Sequence, residues 1–317
     1  MTAVAWSDLL DGYLALRRAV GFSMRPEERL LRDFVASLEQ RTSDSSTVAQ
    51  IAVEWATTRA VRGGSHSQSR RLSVARMFLT MARATNPTID VPGVALLRTP
   101  RRPAPHIYTP SEVTALMEAS RTLGPRDALR PHTVATVIGL LASTGLRASE
   151  AIALTLRDVD LDATPPRLLV RQTKFRKSRL VPMHPTVADA LRAYADHRQR
   201  LGYDDLCEAF FVSERGTRLN YHVLARAFVA VARRLGLRGP IGVRGASLHH
   251  VRHTFAVERL AAWSRAGGQV RHQLPALSVY LGHVRPQETY WYLTAAPQVL
   301  EPASQRFETY IEAKVRP

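Results

Sequence analysis

Three residues, Arg147, His249 and Arg252, lie on predicted helices at positions from which their side chains could bind one anion. Arg147 follows the Thr-Gly-Leu turn at 144–146, in which the glycine ends one helix and the arginine begins the next. Because the start of a helix favours negative charge, this position suits a bound phosphate. His249 and Arg252 are three residues apart, so they share one face of a predicted helix and can meet the same phosphate. Taken alone, the turn is more typical of a helix cap with a surface arginine.

A basic hairpin and a tyrosine add groups that could transfer a proton or act as a nucleophile. Lys174 lies in a cationic tip between two predicted strands, Leu168–Gln172 and Leu180–Met183. Only three of the 44 Lys and Arg residues are lysines. Arginine keeps its proton near neutral pH, so a lysine retained in an arginine-rich chain is suited to proton transfer. Farther along, His283 follows Leu-Gly, and Tyr292 stands nine residues beyond it. Singly, such a tip is usually solvated and such a tyrosine usually belongs to the core.

Together these short sequence motifs resemble those of the tyrosine recombinase (phage integrase) family. That family carries an arginine in a Thr-Gly-x-Arg-x-x-Glu turn, a lysine on a β-hairpin, His-x-x-Arg-His, Leu-Gly-His, and a tyrosine nine residues later. The chain departs from the pattern at Thr173 and Phe175, where glycine is common around the lysine. Tyr290 is a rival nucleophile, although the nine-residue spacing favours Tyr292. The residues that match the family's catalytic positions are Arg147, Lys174, His249, Arg252, His283 and Tyr292.

The resemblance implies cleavage and rejoining of duplex DNA through a covalent 3′-phosphotyrosine at Tyr292. Such a transesterification must neutralise a pentacovalent phosphorane, and Arg147 and Arg252 suit the non-bridging oxygens because guanidinium groups bind them bidentately. A phenol, with an ordinary pKa of about 10, needs help to attack, and His249 is the candidate base.

The remaining two positions would complete the reaction. His283 would donate a hydrogen bond to the phosphate, and Lys174 would protonate the leaving 5′ oxygen. Because the phosphotyrosine conserves the bond energy, no metal, ATP or other cofactor is expected, and the sequence shows no Gly-rich phosphate loop ending in Gly-Lys-Ser/Thr. A zinc site at His249 and His253 is the alternative by spacing, but it lacks the glutamate of His-Glu-x-x-His and an obvious third ligand.

Composition favours a nucleic-acid partner. The formal net charge is +17, of which residues 1–106 carry +6 and the remainder +11, so two basic surfaces are expected. A protein that is basic without a polyanionic partner is the alternative. The single Cys207, the lack of a long apolar run and the acid early in the N-terminus predict a cytoplasmic protein without a membrane span.

The periodicity of apolar residues predicts a mainly α protein with a small antiparallel β-sheet. Residues 1–106 should form four helices with a basic edge, followed from about 85 by an extended basic linker. The second domain, 107–317, should open at a capping box at Thr109 and contain further helices at about 185–200, 220–235, 249–265 and 274–282. The resemblance implies a helical core-binding domain and an α+β catalytic domain that form a C-shaped DNA clamp.

The expected partners are duplex DNA recombination sites. The resemblance implies a homotetramer on two sites, with a monomer or dimer without DNA, and leaves accessory DNA-bending proteins open. The tail after Leu300 repeats Phe307, Tyr310, Ile311 and Val315 at helical spacing, so it should dock on a neighbouring protomer or on its own domain. Further DNA contacts are expected from Arg70, Arg71, Arg76, Arg101, Arg102, Arg176 and Lys177.

Two other functions fit the same sequence. A type IB topoisomerase shares the phosphotyrosine chemistry, but it relaxes DNA without site specificity. A DNA-binding regulator with a silent active site is the second alternative, although competent residue types occupy all six positions. Integration, transposition of a mobile element and resolution of chromosome or plasmid dimers all remain open.

Overall fold

The computed structural model divides the chain into two compact units, residues 1–103 and 104–317. The boundary predicted from the sequence lies three residues farther along the chain. The structure describes residues 5–41, 47–58, 64–94, 96–97, 104–171, 178–204, 206–241, 243, 245–266, 270–283, 285 and 287–294.

Four helices make up the first unit. Their apolar faces meet in one core, where Phe34 and Phe78 are fully buried and Trp6 packs edge-on against Phe78. Burial of each such side chain is worth about 1.5–3 kcal/mol, which holds together helices that would be marginal alone. The helices are α1 (Trp6–Ala19), α2 (Arg25–Glu39), α3 (Val48–Thr58) and α4 (Gly64–Thr85).

The stretch after α4 belongs to the first core. Ile89 is 4% exposed, and Val91 packs against the same cluster as the helices. The Asp90 carboxylate accepts a hydrogen bond from the backbone N–H of Ala49 at 3.1 Å. Of the linker predicted from about 85, the stretch around Ile89 and Val91 therefore packs against the first core.

Arg71 lies inside the first unit and not on the exposed basic edge expected for it. It stands four residues before Ala75 and seven before Phe78, and therefore shares their buried face of α4. Its guanidinium carbon lies 4.3 Å from the centre of the Trp55 ring, and its Nη2 donates to Asp33 at 3.3 Å. This guanidinium therefore packs within the helical unit and not on its surface, and a contact between Arg71 and DNA stays a prediction.

A reciprocal capping box opens the second unit, as predicted. The Thr109 hydroxyl accepts from the N–H of Glu112 at 3.2 Å, and the Glu112 carboxylate accepts from the N–H of Thr109 at 2.8 Å. The helices of its described part are α5 (Pro110–Ser120), α6 (Leu129–Thr144), α7 (Ala148–Ala153), α8 (Pro185–Arg200), α9 (Tyr221–Arg234), α10 (Leu248–Arg265), α11 (Val270–Leu281) and α12 (Gln287–Thr294).

A small antiparallel sheet lies between α7 and α8. Its order is β1–β2–β3, with β1 at Val159–Asp160, β2 at Arg167–Val170 and β3 at Arg179–Pro182. Strands β2 and β3 each begin one residue earlier than predicted, and β1 was not predicted. The hairpin tip, with Lys174, Arg176 and Lys177, lies outside the described residues. The described chain therefore confirms the mainly α fold with a small antiparallel sheet.

Helix α6 is the centre of the second unit. Val137, Ile138 and Leu141 on it are fully buried, and it packs against α5, α8 and α10. The C-terminal end of α6 thereby meets α10, which carries the His-x-x-Arg-His string. None of the described helices is both long and apolar enough to cross a bilayer.

Candidate active site

Arg252 is anchored in the interior by main-chain carbonyls. It lies on α10, is 1% exposed, and donates from Nη1 to the Gly145 carbonyl at 2.7 Å and from Nη2 to the Leu281 carbonyl at 2.6 Å. These two carbonyls belong to the Thr-Gly-x-Arg turn and to the end of α11. Two strings far apart in sequence therefore meet at this one guanidinium.

Arg147 is held beside Arg252 by the other glycine turn. Its Nη1 and Nη2 lie 3.5 and 3.4 Å from the Gly282 carbonyl, and Nη1 donates to Glu150 at 2.9 Å. The Arg147 side chain keeps 27% of its surface exposed. It stands immediately before α7, as predicted, so the turn positions a partly exposed cation next to a buried one.

Both glycines in these turns are required by geometry. Gly145 has φ +64°, and an added Cβ would lie 2.3 Å from Cδ1 of Phe255. Gly282 has φ +66°, and an added Cβ would lie 2.7 Å from Nη1 of Arg179. Only glycine adopts this conformation without strain and also leaves space for these neighbours. The carbonyl oxygens that anchor the arginines depend on both turns.

Glu150 is a buried carboxylate that organises the arginines. It accepts from the backbone N–H and Nη1 of Arg147, accepts two bonds from Arg179, and lies 4.0 Å from Nη1 of Arg252. Burial alone would raise the pKa of Glu150, but its bonds with Arg179 and Arg147 outweigh burial and hold that pKa below its ordinary value. Three guanidinium groups thus surround one carboxylate, which leaves positive charge for an anion.

Arg179 was not predicted as part of the site. It begins strand β3, is 13% exposed, and also donates from Nε to the Tyr280 carbonyl at 2.8 Å. One side chain therefore ties the sheet to α7 and α11. The sequence singled out the basic hairpin but gave no sign that this arginine turns inward. Glu150 could have been found, since it stands three residues after Arg147 at the start of a helix.

The charges of the site shift the pKa values of Arg252 and His283. Burial and Arg147 lower the pKa of Arg252 to about 10, while Tyr292 and Glu150 oppose that shift. Burial, Arg252, Arg147 and Arg179 lower the pKa of His283 to about 3. Nδ1 of His283 lies 2.7 Å from Oγ1 of Thr289. At neutral pH the His283 ring is therefore neutral and carries one N–H.

Tyr292 lies within this cluster, whereas Tyr290 does not. The Tyr292 ring is 3% exposed, stacks on His283 with centroids 5.8 Å apart, and lies close enough to Arg252 to oppose the lowering of that guanidinium's pKa. Tyr290, two residues earlier on α12, is 47% exposed. Residues two apart point to different sides of a helix. The rival tyrosine therefore faces away from the arginines.

His249 reaches the cluster through a second histidine. It is exposed on α10, with its ring centroid 4.4 Å from that of His253. The His253 ring is 3% exposed and lies 5.2 Å from the ring of Tyr292. The structure thus brings together Arg147, Arg252, His283 and Tyr292, with His249 at the edge. Lys174, the sixth predicted residue, lies outside the described residues. Within the described chain, no group of three or more His, Cys, Asp or Glu side chains is arranged to hold a metal ion.

The predicted DNA contacts outside this cluster are only partly described. Arg70 is exposed on α4, with Nη2 3.6 Å from Glu27, and Arg76 is half-buried on the same helix. The other predicted contacts, apart from Arg71, lie outside the described residues: Arg101, Arg102, Arg176 and Lys177.

Comparison with known proteins identifies the family. Residues 107–298 match the model of the phage integrase family. The chain is 38% identical, over 93% of its length and 95% of the relative's, to the putative integrase/recombinase y4rB of Sinorhizobium fredii (strain NBRC 101917 / NGR234). It is 31% identical, over 84% of its length and 77% of the relative's, to the tyrosine recombinase XerD of Mycobacterium tuberculosis (strain ATCC 25618 / H37Rv).

A solved structure shares the fold. The XerH site-specific recombinase, in a post-cleavage complex with palindromic difH substrate, matches with a TM-score of 0.66 and 16% identity, covering 96% of this chain and 86% of that one. The cluster of arginines, histidine and tyrosine lies within the part of the sequence that matches the family. The chain therefore belongs to the phage integrase family of tyrosine recombinases and is an enzyme of site-specific DNA recombination.

Proposed function

We propose that Tyr292 is the nucleophile of a reaction that cleaves and rejoins duplex DNA. Its phenolic oxygen attacks the scissile phosphorus, the bond to the 5′ oxygen breaks, and a 3′-phosphotyrosine and a 5′ hydroxyl are formed. Attack by a 5′ hydroxyl of the partner strand reverses the step and frees the tyrosine. The observation that carries this proposal is the burial of Tyr292 against His283 and close enough to Arg252 to oppose the lowering of that guanidinium's pKa.

Arg147 and Arg252 would hold the phosphate. Each terminal nitrogen of a guanidinium carries two N–H groups, so the carbonyl that anchors it leaves a second N–H for a non-bridging oxygen. Preorganised donors of this kind stabilise the charge that develops in the transition state without reorganising during the reaction. In this proposal the arginines take the part that metal ions play in other phosphoryl transfers, and neither metal nor ATP takes part.

Proton transfer is assigned to three residues. His249 is proposed as the base for Tyr292, supported by its place on the same helix as Arg252. Lys174 is proposed as the acid for the leaving 5′ oxygen, supported by its hairpin position in the sequence. A neutral His283 would donate one hydrogen bond to the phosphate.

The substrate is proposed to be duplex DNA that carries recombination half-sites. XerH was solved bound to its palindromic difH substrate, and the +17 charge of this chain suits a nucleic-acid partner. Residues 1–106 would contribute DNA binding and residues 107–317 would contribute catalysis, and the protein would act in the cytoplasm. A homotetramer would assemble on two sites of a mobile element or replicon, with the segment 301–317, outside the described residues, exchanged between protomers.

The test uses a nicked suicide substrate built from inverted repeats in the DNA that flanks the gene. Tyr292→Phe should form no covalent protein–DNA adduct, yet it should bind the DNA like the wild type. Tyr290→Phe is the matched control and should form the adduct. The proposal fails if the variant at 292 still forms the adduct while the variant at 290 does not. It also fails if the wild-type protein binds the site without cleaving it.

A further inference from the structure

One partly buried hydrogen bond joins the tyrosine-bearing helix to the histidine of the site. Thr289 on α12 is 1% exposed, and its Oγ1 lies 2.7 Å from Nδ1 of His283. Thr289 stands three residues before Tyr292, so both side chains lie on one face of α12. The mechanism proposed above gives this hydroxyl no part.

A hydroxyl bonded to Nδ1 can select which nitrogen of His283 carries the proton. A neutral imidazole donates from one ring nitrogen and accepts at the other. The pKa of His283 is lowered to about 3, chiefly by burial, with further contributions from Arg252, Arg147 and Arg179, so the ring is neutral in the DNA-free protein at neutral pH. If the Thr289 hydroxyl donates to Nδ1, the proton must be on Nε2. That tautomer offers a phosphate oxygen a donor, whereas the opposite tautomer offers it a repulsive lone pair.

We propose that Thr289 is a positioning residue, which holds His283 in the Nε2–H tautomer and turns that N–H toward the scissile phosphate. The inference rests on the proposed function, since it concerns the same phosphate. The bond also fixes α12 to the turn that carries His283. Because the rings of His283 and Tyr292 stack with centroids 5.8 Å apart, one contact aligns both the hydrogen-bond donor and the nucleophile.

The experiment removes the hydroxyl while keeping the shape of the side chain. Thr289→Val should slow formation of the covalent adduct about 10- to 100-fold, because a buried nitrogen loses its partner and the ring its fixed tautomer. Thr289→Ser, which keeps the hydroxyl, should recover most of the rate. Affinity for uncleaved DNA should not change in either variant. Thr133→Val is the matched control, since Thr133 is also 1% exposed and bonded through its hydroxyl, but to Leu129 and Tyr194.

The second readout is the nitrogen-15 NMR signal of the His283 ring, assigned by its loss in His283→Gln. In the wild type and in Thr289→Ser, the two ring nitrogens should show the shifts of an Nε2–H imidazole. In Thr289→Val they should move toward a mixture of tautomers, and in Thr133→Val they should not move. The proposal is overturned if Thr289→Val cleaves at the wild-type rate, or if it cleaves slowly with unchanged ring shifts. Failure of the wild type to form any adduct would refute the proposed function instead, and the ring shifts would still decide the tautomer.

Discussion

Neutralising Glu150 should destabilise the protein, and Glu150→Gln is the sharpest test of the arginine cluster. The carboxylate is 7% exposed. It accepts a hydrogen bond of 2.9 Å from Arg147 and another of 2.9 Å from Arg179, and it lies 4.0 Å from Arg252. Glutamine has almost the same shape and keeps one acceptor oxygen. The substitution therefore removes mainly the charge, and three guanidinium groups are left to repel one another.

The expected loss of stability can be worked from these contacts. Unit charges 4 Å apart attract by about 4 kcal/mol at an effective dielectric constant of 20, but the cost of dehydrating them offsets much of this. Removing one partner of a buried ion pair typically costs about 3–5 kcal/mol. Because Arg147 remains 27% exposed and glutamine still accepts one bond, we expect about 2–4 kcal/mol. At about 2–4 °C per kcal/mol, the melting temperature of the second unit should fall by roughly 5–15 °C.

Calorimetry of the DNA-free protein at several pH values measures this loss. The folded-state pKa of Glu150 lies below its ordinary value of 4.5, so its ionic contribution is complete above about pH 4.5 and fades as pH falls farther. The melting curves of wild type and Glu150→Gln should therefore differ at neutral pH and converge in acid. Glu208→Gln is the control, since Glu208 is 77% exposed and 3.8 Å from an exposed arginine. Equal melting temperatures at pH 7, or a difference that persists unchanged in acid, would refute the reasoning.

Two further predictions concern a glycine turn and the leaving group. Gly145→Ala should unfold at lower denaturant than Gly202→Ala. Both glycines have positive φ, a conformation that costs alanine about 1–2 kcal/mol. Only at Gly145 would the new Cβ also contact Phe255, at 2.3 Å. Equal denaturant midpoints of unfolding for the two variants would show that the Phe255 ring simply moves aside. Lys174→Ala should slow cleavage about 10²–10⁴-fold, and sulfur at the bridging 5′ position should restore the rate in this variant but not in Arg147→Ala. Continued slow cleavage of the sulfur substrate by Lys174→Ala would exclude it as the acid.

Long apolar periodicities predicted the fold well, and short or interrupted ones did not. The helices expected at about 185–200, 220–235 and 249–265 correspond to α8, α9 and α10 within one residue at each end. Helix α11 begins at Val270, four residues before the prediction, because Pro275 lies inside the helix although proline usually begins or breaks one. Strand β1 has only two residues, too few to show an alternation.

Site residues that belong to a sequence motif could be predicted, whereas site residues that are joined only by a tertiary contact could not. Each of the arginine, histidine and tyrosine positions belongs to a short string with its own spacing. Arg179 reaches Glu150 from 29 residues away, and Thr289 reaches His283 across a turn, so neither pairing has a local signature. The exposure of Arg71 was mispredicted for the opposite reason. Its charge suggested a place on the surface, whereas its position on α4 places it against Trp55.

The carbonyl anchors of Arg147 and Arg252 have a consequence for how this site can change. A carbonyl orients a guanidinium through its dipole and brings no net charge, so the cation stays available to an incoming anion. A carboxylate brings a negative charge as well, and Glu150 accordingly offsets part of the charge of the Arg147 guanidinium that it binds at 2.9 Å. Main-chain anchors also survive every side-chain replacement that preserves the backbone path. The backbone path of the two glycine turns therefore helps to set the directions of the two cations, and the Glu150 side chain completes the arrangement at Arg147.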